Sequence, residues 1–206
     1  MNEAKTFFEP LAGLLLDELS KLRNSPFVPH SLTKLRNIST LRRLTGAKEV
    51  IEIGTYKGVT TRRLARIFKK VTSVEIDKDL YEYSRARLQG LDNVVLLLGD
   101  GKDLIWEVSR TAENAILFLD GHFSGGETGS GDKPEPILEE LERIRDNIGN
   151  VAGIVIDDFR LFGVEDGWPR KSVLLDKIEQ ELPPTDWNHL VMNDQILCYR
   201  RAIKSF

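Results

Sequence analysis

The chain holds one cysteine in 206 residues, Cys198, so no intrachain disulfide can staple it. That thiol lies in the apolar stretch Ile196 to Tyr199 and reads as a buried structural group. Long hydrophobic runs are missing too. The run Leu11 to Leu16 is too short, and too closely flanked by Glu3 and Glu9, for a signal peptide or a membrane span. A cytoplasmic protein with no membrane partner is therefore expected. An excess of charge of one sign is also absent: 29 Lys and Arg against 32 Asp and Glu leave a net charge of −3. Such a balance creates no global field to recruit nucleic acid or an anionic membrane, so no nucleic acid partner is expected. The arginine pairs at 42–43 and 62–63 read as solvated helix faces or pocket rims. Repeats and low-complexity tracts are absent.

What is present suits one globular domain. Apolar residues make up 41% and charged residues 30%, and a chain of this length falls within the ~250 residues that single domains reach. Residues 1–46 are expected to form a helical cap and residues 47–206 an α/β core. Leucines at 11, 14, 15, 19 and 22 have helical spacing within Thr6 to Arg23. A second helix is predicted over Ser31 to Gly46, with Leu32, Leu35, Ile38, Leu41 and Leu44 facing inward and Gly46 as its stop. These leucine-rich helices offer a surface on which two copies could pair.

From Lys48 the pattern alternates. Strands are predicted at 49–53, 71–76, 94–98, 115–120 and 151–157, with helices near 59–70, 78–90, 102–112 and 135–148. Such alternation predicts a doubly wound, Rossmann-like parallel sheet. The end differs: Trp187 to Val191 and Gln195 to Arg200 flank a tight Met-Asn-Asp turn and predict a hairpin.

The organising stretch is Glu49 to Thr61, a β-branched strand running into a glycine turn and a helix. Gly54 and Gly58 let the backbone bend and approach a ligand at the strand's carboxyl end. Their G-x-x-x-G spacing differs from the G-x-G-x-x-G of dinucleotide oxidoreductases. Three successive strands carry Glu52, Glu75 and Asp100 toward one edge. A second set of acids ends the fourth and fifth strands: Asp120, Asp157 and Asp158. Three uncompensated carboxylates would repel one another, and a divalent cation such as Mg²⁺ relieves that repulsion. Otherwise Asp157 and Asp158 cap the next turn and one of them pairs with Arg160 or Arg170.

The motif Glu52-Ile-Gly-Thr-Tyr-Lys-Gly58 and the acids that follow resemble the class I S-adenosylmethionine-dependent methyltransferases. The resemblance implies a seven-stranded sheet of order 3-2-1-4-5-7-6 with an antiparallel last strand. It implies S-adenosylmethionine held by Glu52, Gly54, Gly58, Glu75 and Asp100, with Tyr56 and Thr60 added by position. The acids after strands four and five resemble the metal site of catechol and caffeoyl-coenzyme-A type O-methyltransferases, and Ile156-Asp-Asp-Phe159 that of macrocin O-methyltransferase relatives. Asp120, Asp157 and Asp158 would then hold Mg²⁺, and the acceptor would be a hydroxyl oxygen of a small molecule. The catechol enzymes' lysine, three residues after the strand-four acid, is here Phe123. The general base is therefore assigned to His122 or to Asp120. The glycine-rich segment Gly121 to Pro136 is a candidate lid, and Phe159 to Arg170 either an acceptor wall or an aromatic anchor. A metal-independent N- or O-methyltransferase and a non-catalytic binding domain are the rival expectations.

Overall fold

The computed structural model describes residues 9–25, 28–120 and 136–201. Seven strands form one sheet: β1 (Glu49–Ile53), β2 (Lys70–Glu75), β3 (Val94–Leu98), β4 (Ala115–Leu119), β5 (Val151–Ile156), β6 (Trp187–Met192) and β7 (Gln195–Arg200). Their order is β3-β2-β1-β4-β5-β7-β6, as the resemblance implied. β1 to β5 pair in parallel, and β7 runs antiparallel to both β5 and β6. The turn between β6 and β7 has Asn193 and Asp194 both in the left-handed region, at φ 50° and 63°. That pair of conformations gives a two-residue hairpin the twist of its strands.

Alternation along the central strands splits the core in two. Ile51, Ile53, Leu117, Leu119, Ile154 and Ile156 face one way. They pack with Ile105 of α5 (Gly101–Arg110), Leu141 of α6 (Ile137–Ile144), and Leu174 and Ile178 of α7 (Lys171–Glu181). Val50, Ile116, Phe118 and Val155 face the other way, against Leu64 of α3 (Val59–Leu64) and Ile38 and Leu41 of α2 (Ser31–Thr45). At Gly153 a Cβ would lie 2.8 Å from Leu41 Cδ2, so α2 rests directly on β5. Residue 46, where the sequence suggested a boundary between cap and core, follows a helix that is part of this packed layer. Gly46 does stop that helix, at φ 69°, with its N–H donating to Arg42 O at 2.9 Å.

Several elements depart from expectation: Leu44 of α2 is exposed instead of facing inward, and α6 stops at Ile144, where a 3-10 stretch, Arg145–Asn150, takes over. The helix predicted near 59–70 ends at Leu64, because Arg66 and Ile67 donate to carbonyls three residues back and tighten the chain toward β2. α7 was not foreseen; its inward residues are Leu174 and Ile178 in a charge-rich segment. In α1 (Glu9–Leu22), Leu11, Leu15, Leu16, Leu19 and Leu22 are exposed rather than packed. Its buried anchor is polar: Asp17 accepts from the His30 N–H at 2.9 Å and from the Thr33 hydroxyl, and its Oδ1 lies 2.6 Å from His30 Nδ1. Among the described residues, no helix is long and apolar enough to cross a membrane.

Candidate functional site

The turn after β1 is built by backbone conformation. Gly54 and Gly58 take φ of 97° and 68°, and Tyr56 between them is also left-handed at φ 50°. A Cβ at Gly58 would meet Leu88 of α4 (Lys78–Leu88) at 3.2 Å. Tyr56 presents its N–H to Glu75 Oε2 at 2.6 Å, and Asp77 donates to Glu75 Oε1 at 3.0 Å. Burial lifts the Glu75 carboxyl above its ordinary value, against the pull of these backbone bonds. The Ile76 N–H adds a third backbone bond, and the roughly four acceptor positions of a carboxylate still leave Glu75 room to accept from a ligand's hydroxyls.

The other cofactor candidates separate. Asp100 caps α5, accepting from Lys102 N–H at 3.0 Å, and its other oxygen lies 3.3 Å from Lys102 Nζ. Thr60 is half-buried on α3, and the Tyr56 ring is exposed. Glu52 does not reach the edge: it is fully buried on the α2/α3 face. There its Oε2 accepts the Thr61 and Ser73 hydroxyls, each at 2.6 Å, while Oε1 has no partner. Burial pushes the Glu52 carboxyl up to about 7, and the nearby Glu75 charge adds to the push against the two hydroxyl bonds. Glu52 therefore ties α3 and β2 beneath the turn. Gly101, which the sequence reading passed over, also shapes this edge, since a Cβ there would sit 2.3 Å from Ile53 Cγ2.

At the next two strands the expected metal site takes another form. Asp120 follows β4 beside the turn, its N–H donating to Ile53 O at 3.0 Å, and Asp157 N–H donates to Leu119 O at 3.1 Å. Asp157 and Asp158 are met by Lys34, reaching across from α2. Its ammonium lies 2.8 Å from Asp157 Oδ1 and 2.7 Å from Asp158 Oδ1. Arg160 also binds Asp158 at 2.7 Å and pairs with Asp194 of the hairpin turn. Burial works to lower the Lys34 ammonium, but the two carboxylates hold it well above its ordinary value. Burial likewise works to raise Asp158, yet Lys34 and Arg160 hold it below the usual range, whereas burial keeps Asp157 above it. Among the described residues, no three acidic, histidine or cysteine side chains are grouped so as to hold a metal ion. A divalent cation does not fit between Asp157 and Asp158 beside Lys34, because the ammonium already takes an oxygen of each and Arg160 takes Asp158 as well. The alternative that paired an aspartate with Arg160 is the arrangement observed.

His122 and the glycine segment 121–135 lie outside the described residues. The loop after β5 anchors by its aromatics: Phe162 and Trp168 are buried and meet edge to face at 4.8 Å. Cys198 is buried in β7, and burial pushes its thiol up to about 12.

The sequence model of the ribosomal RNA adenine dimethylase family matches residues 31–133, half of the chain, from the start of α2 past the end of β4. The chain belongs to the ribosomal RNA adenine dimethylase family. Protein-L-isoaspartate O-methyltransferase of Nitrobacter winogradskyi is 38% identical to it over 89 residues, 42% of this chain and 38% of that protein. Ribosomal RNA small subunit methyltransferase A of Caldanaerobacter subterraneus subsp. tengcongensis is 44% identical over 66 residues, 31% of this chain and 25% of that protein. The chain thus spans less than half the length of the curated relatives it matches. An O-methyltransferase of Streptomyces achromogenes involved in tomaymycin synthesis, solved with S-adenosylmethionine, superposes with a TM-score of 0.58 at 18% identity. The superposition covers 89% of this chain and 86% of that one. The fold is the class I S-adenosylmethionine-dependent methyltransferase fold.

The family match overturns the expectation that nucleic acid is no partner, since its model is one of RNA-modifying proteins. Net charge misled because it averages over the whole surface. Arg36, Arg42 and Arg43 of α2 line one hollow with Ser39, Thr40 and Ile67, a local concentration that a total of −3 hides.

Proposed function

We propose that the chain is an S-adenosylmethionine-dependent methyltransferase that moves the methyl group to an oxygen of a small hydroxyl-bearing acceptor. The observation that carries this reading is strand register. Ile53 pairs with Leu119, so the glycine turn that begins at Gly54 and the acid Asp120 leave adjacent strands side by side. Bound S-adenosylmethionine supplies a methyl group on a cationic sulfur. The residues of the chain orient and deprotonate. Gly54, Tyr56 and Gly58 shape the turn, and Glu75 accepts the donor's ribose hydroxyls in charge-assisted bonds. Asp120 would take the hydroxyl proton as the acceptor oxygen gains the methyl group, with S-adenosylhomocysteine as the product released.

A second reading, methylation of RNA, is favoured by the family match and by the arginine hollow of α2. Methyl transfer assayed against small hydroxyl compounds, an isoaspartyl peptide and ribosomal RNA separates the two. Turnover of a hydroxyl compound is expected, with Asp120→Asn lowering kcat by ~10²–10⁴-fold and leaving S-adenosylhomocysteine binding intact. Methylation of RNA alone, or unchanged turnover in the Asn variant, would contradict the proposal.

A further inference from the structure

Successive side chains of a strand point to opposite faces, so Asp157 and Asp158 at the tip of β5 should diverge. Asp158 is instead left-handed, at φ 53° and ψ 39°, a conformation that costs energy for a residue with a Cβ. Both carboxylates thereby meet the one ammonium of Lys34, and Asp158 N–H closes onto Asp157 Oδ1 at 2.8 Å. The lysine comes from 124 residues earlier, on a helix seated against β5 at Gly153, and its side chain is only 18% exposed. It is a fixed cation within the packed fold, unlike a surface lysine that happens to find a partner.

We infer that Lys34 is the resident cation of the acceptor side of the site. It sits between Asp157 and Asp158, two of the three acids that the sequence expectation gave to a divalent ion. An ammonium has three N–H donors, and these carboxylates take two. The third can donate to a single acceptor oxygen. This deepens the proposed oxygen transfer and rests on it: the acceptor class becomes one that presents a lone hydroxyl, because an ammonium, unlike a chelated metal, gains nothing from two adjacent oxygens on the acceptor.

The test is uptake of Mn²⁺, followed by electron paramagnetic resonance, in the full chain and in its Lys34→Ala and Lys34→Met variants after chelator treatment. Wild type is expected to leave the free Mn²⁺ signal unchanged. The variants, with Asp157 released and Asp158 held by Arg160 alone, are expected to bind Mn²⁺ tighter by on the order of tenfold or more. Lys34→Met keeps the buried alkyl stem, which covers the case in which the alanine variant loses its fold. Equal uptake by all three proteins, or uptake by none, would overturn the inference. S-adenosylhomocysteine titrated into the same samples keeps the two questions apart. Binding there alongside a failed Mn²⁺ result would count against Lys34 alone, and absence of binding would count against the methyltransferase reading.

Discussion

Glu52 concentrates the tension of this fold in one carboxyl group. It is fully buried, holds two hydroxyls through one oxygen, and titrates near 7 instead of its ordinary 4.5. Between those values the folded protein keeps a proton that the unfolded chain has lost. Stability therefore falls as pH rises from about 4.5 to about 7 and levels off above, each pH unit in that window corresponding to ~1.4 kcal/mol for one proton. Glu52→Gln keeps the shape and removes the charge. Its melting temperature is expected to match wild type near the acid end and to exceed it by ~7–14 °C at pH 8, since the window of about 2.5 units amounts to ~3.5 kcal/mol and ~1 kcal/mol shifts a domain of this size by ~2–4 °C. Parallel melting curves for the two proteins would show that Glu52 stays ionised. Lys34 illustrates why such residues are hard to read from sequence. On a helix with an apolar stripe, one lysine reads as part of the solvated face, and its partner Asp158 lies 124 residues away, next to Asp157. Asp157 and Asp158 therefore read as ligands of a divalent ion, with a pairing to Arg160 or Arg170 as the alternative, and Lys34 entered neither expectation.

Elements were most legible where local pattern and burial agree. β1 and β3 run over the residues predicted, because β-branched and leucine runs bounded by turn residues leave few alternatives. The Asn193–Asp194 turn was legible for a similar reason: its residues tolerate the left-handed conformation. α7 was not legible, since Val173, Leu174, Leu175 and Ile178 sit among charges in only eleven residues. α1 misled in the opposite sense: its leucine stripe is exposed and its anchor is Asp17. Contact between elements also sets a testable limit at α2 and β5. Gly153→Ala adds a Cβ 2.8 Å from Leu41 Cδ2 and 3.2 Å from the Cys198 carbonyl oxygen. Overpacking of this kind costs ~1–3 kcal/mol, so the urea midpoint is expected to drop with the slope unchanged. An unchanged midpoint would mean that α2 does not rest on β5 as described.

At the scale of the whole molecule, topology assembles the site. Parallel strands end together, so one edge collects the turn after β1, Glu75 after β2, the Asp100 cap of α5, Asp120 after β4 and the lysine-bridged pair after β5. The glycine turn and the strand-end acids Glu75 and Asp100 were legible at that edge because they are continuous in sequence, although Glu52 lies buried behind them. The lysine-bridged pair was not, because it joins α2, β5 and the β6–β7 turn, three regions far apart in the chain. Calorimetric titration of S-adenosylhomocysteine into the wild-type chain and Glu75→Ala tests the central claim most directly. Saturable binding to wild type is expected, weakened ~10–100-fold in the variant, as loss of a charge-assisted hydrogen bond implies. No binding to the folded wild-type chain, or equal binding to both proteins, would contradict it.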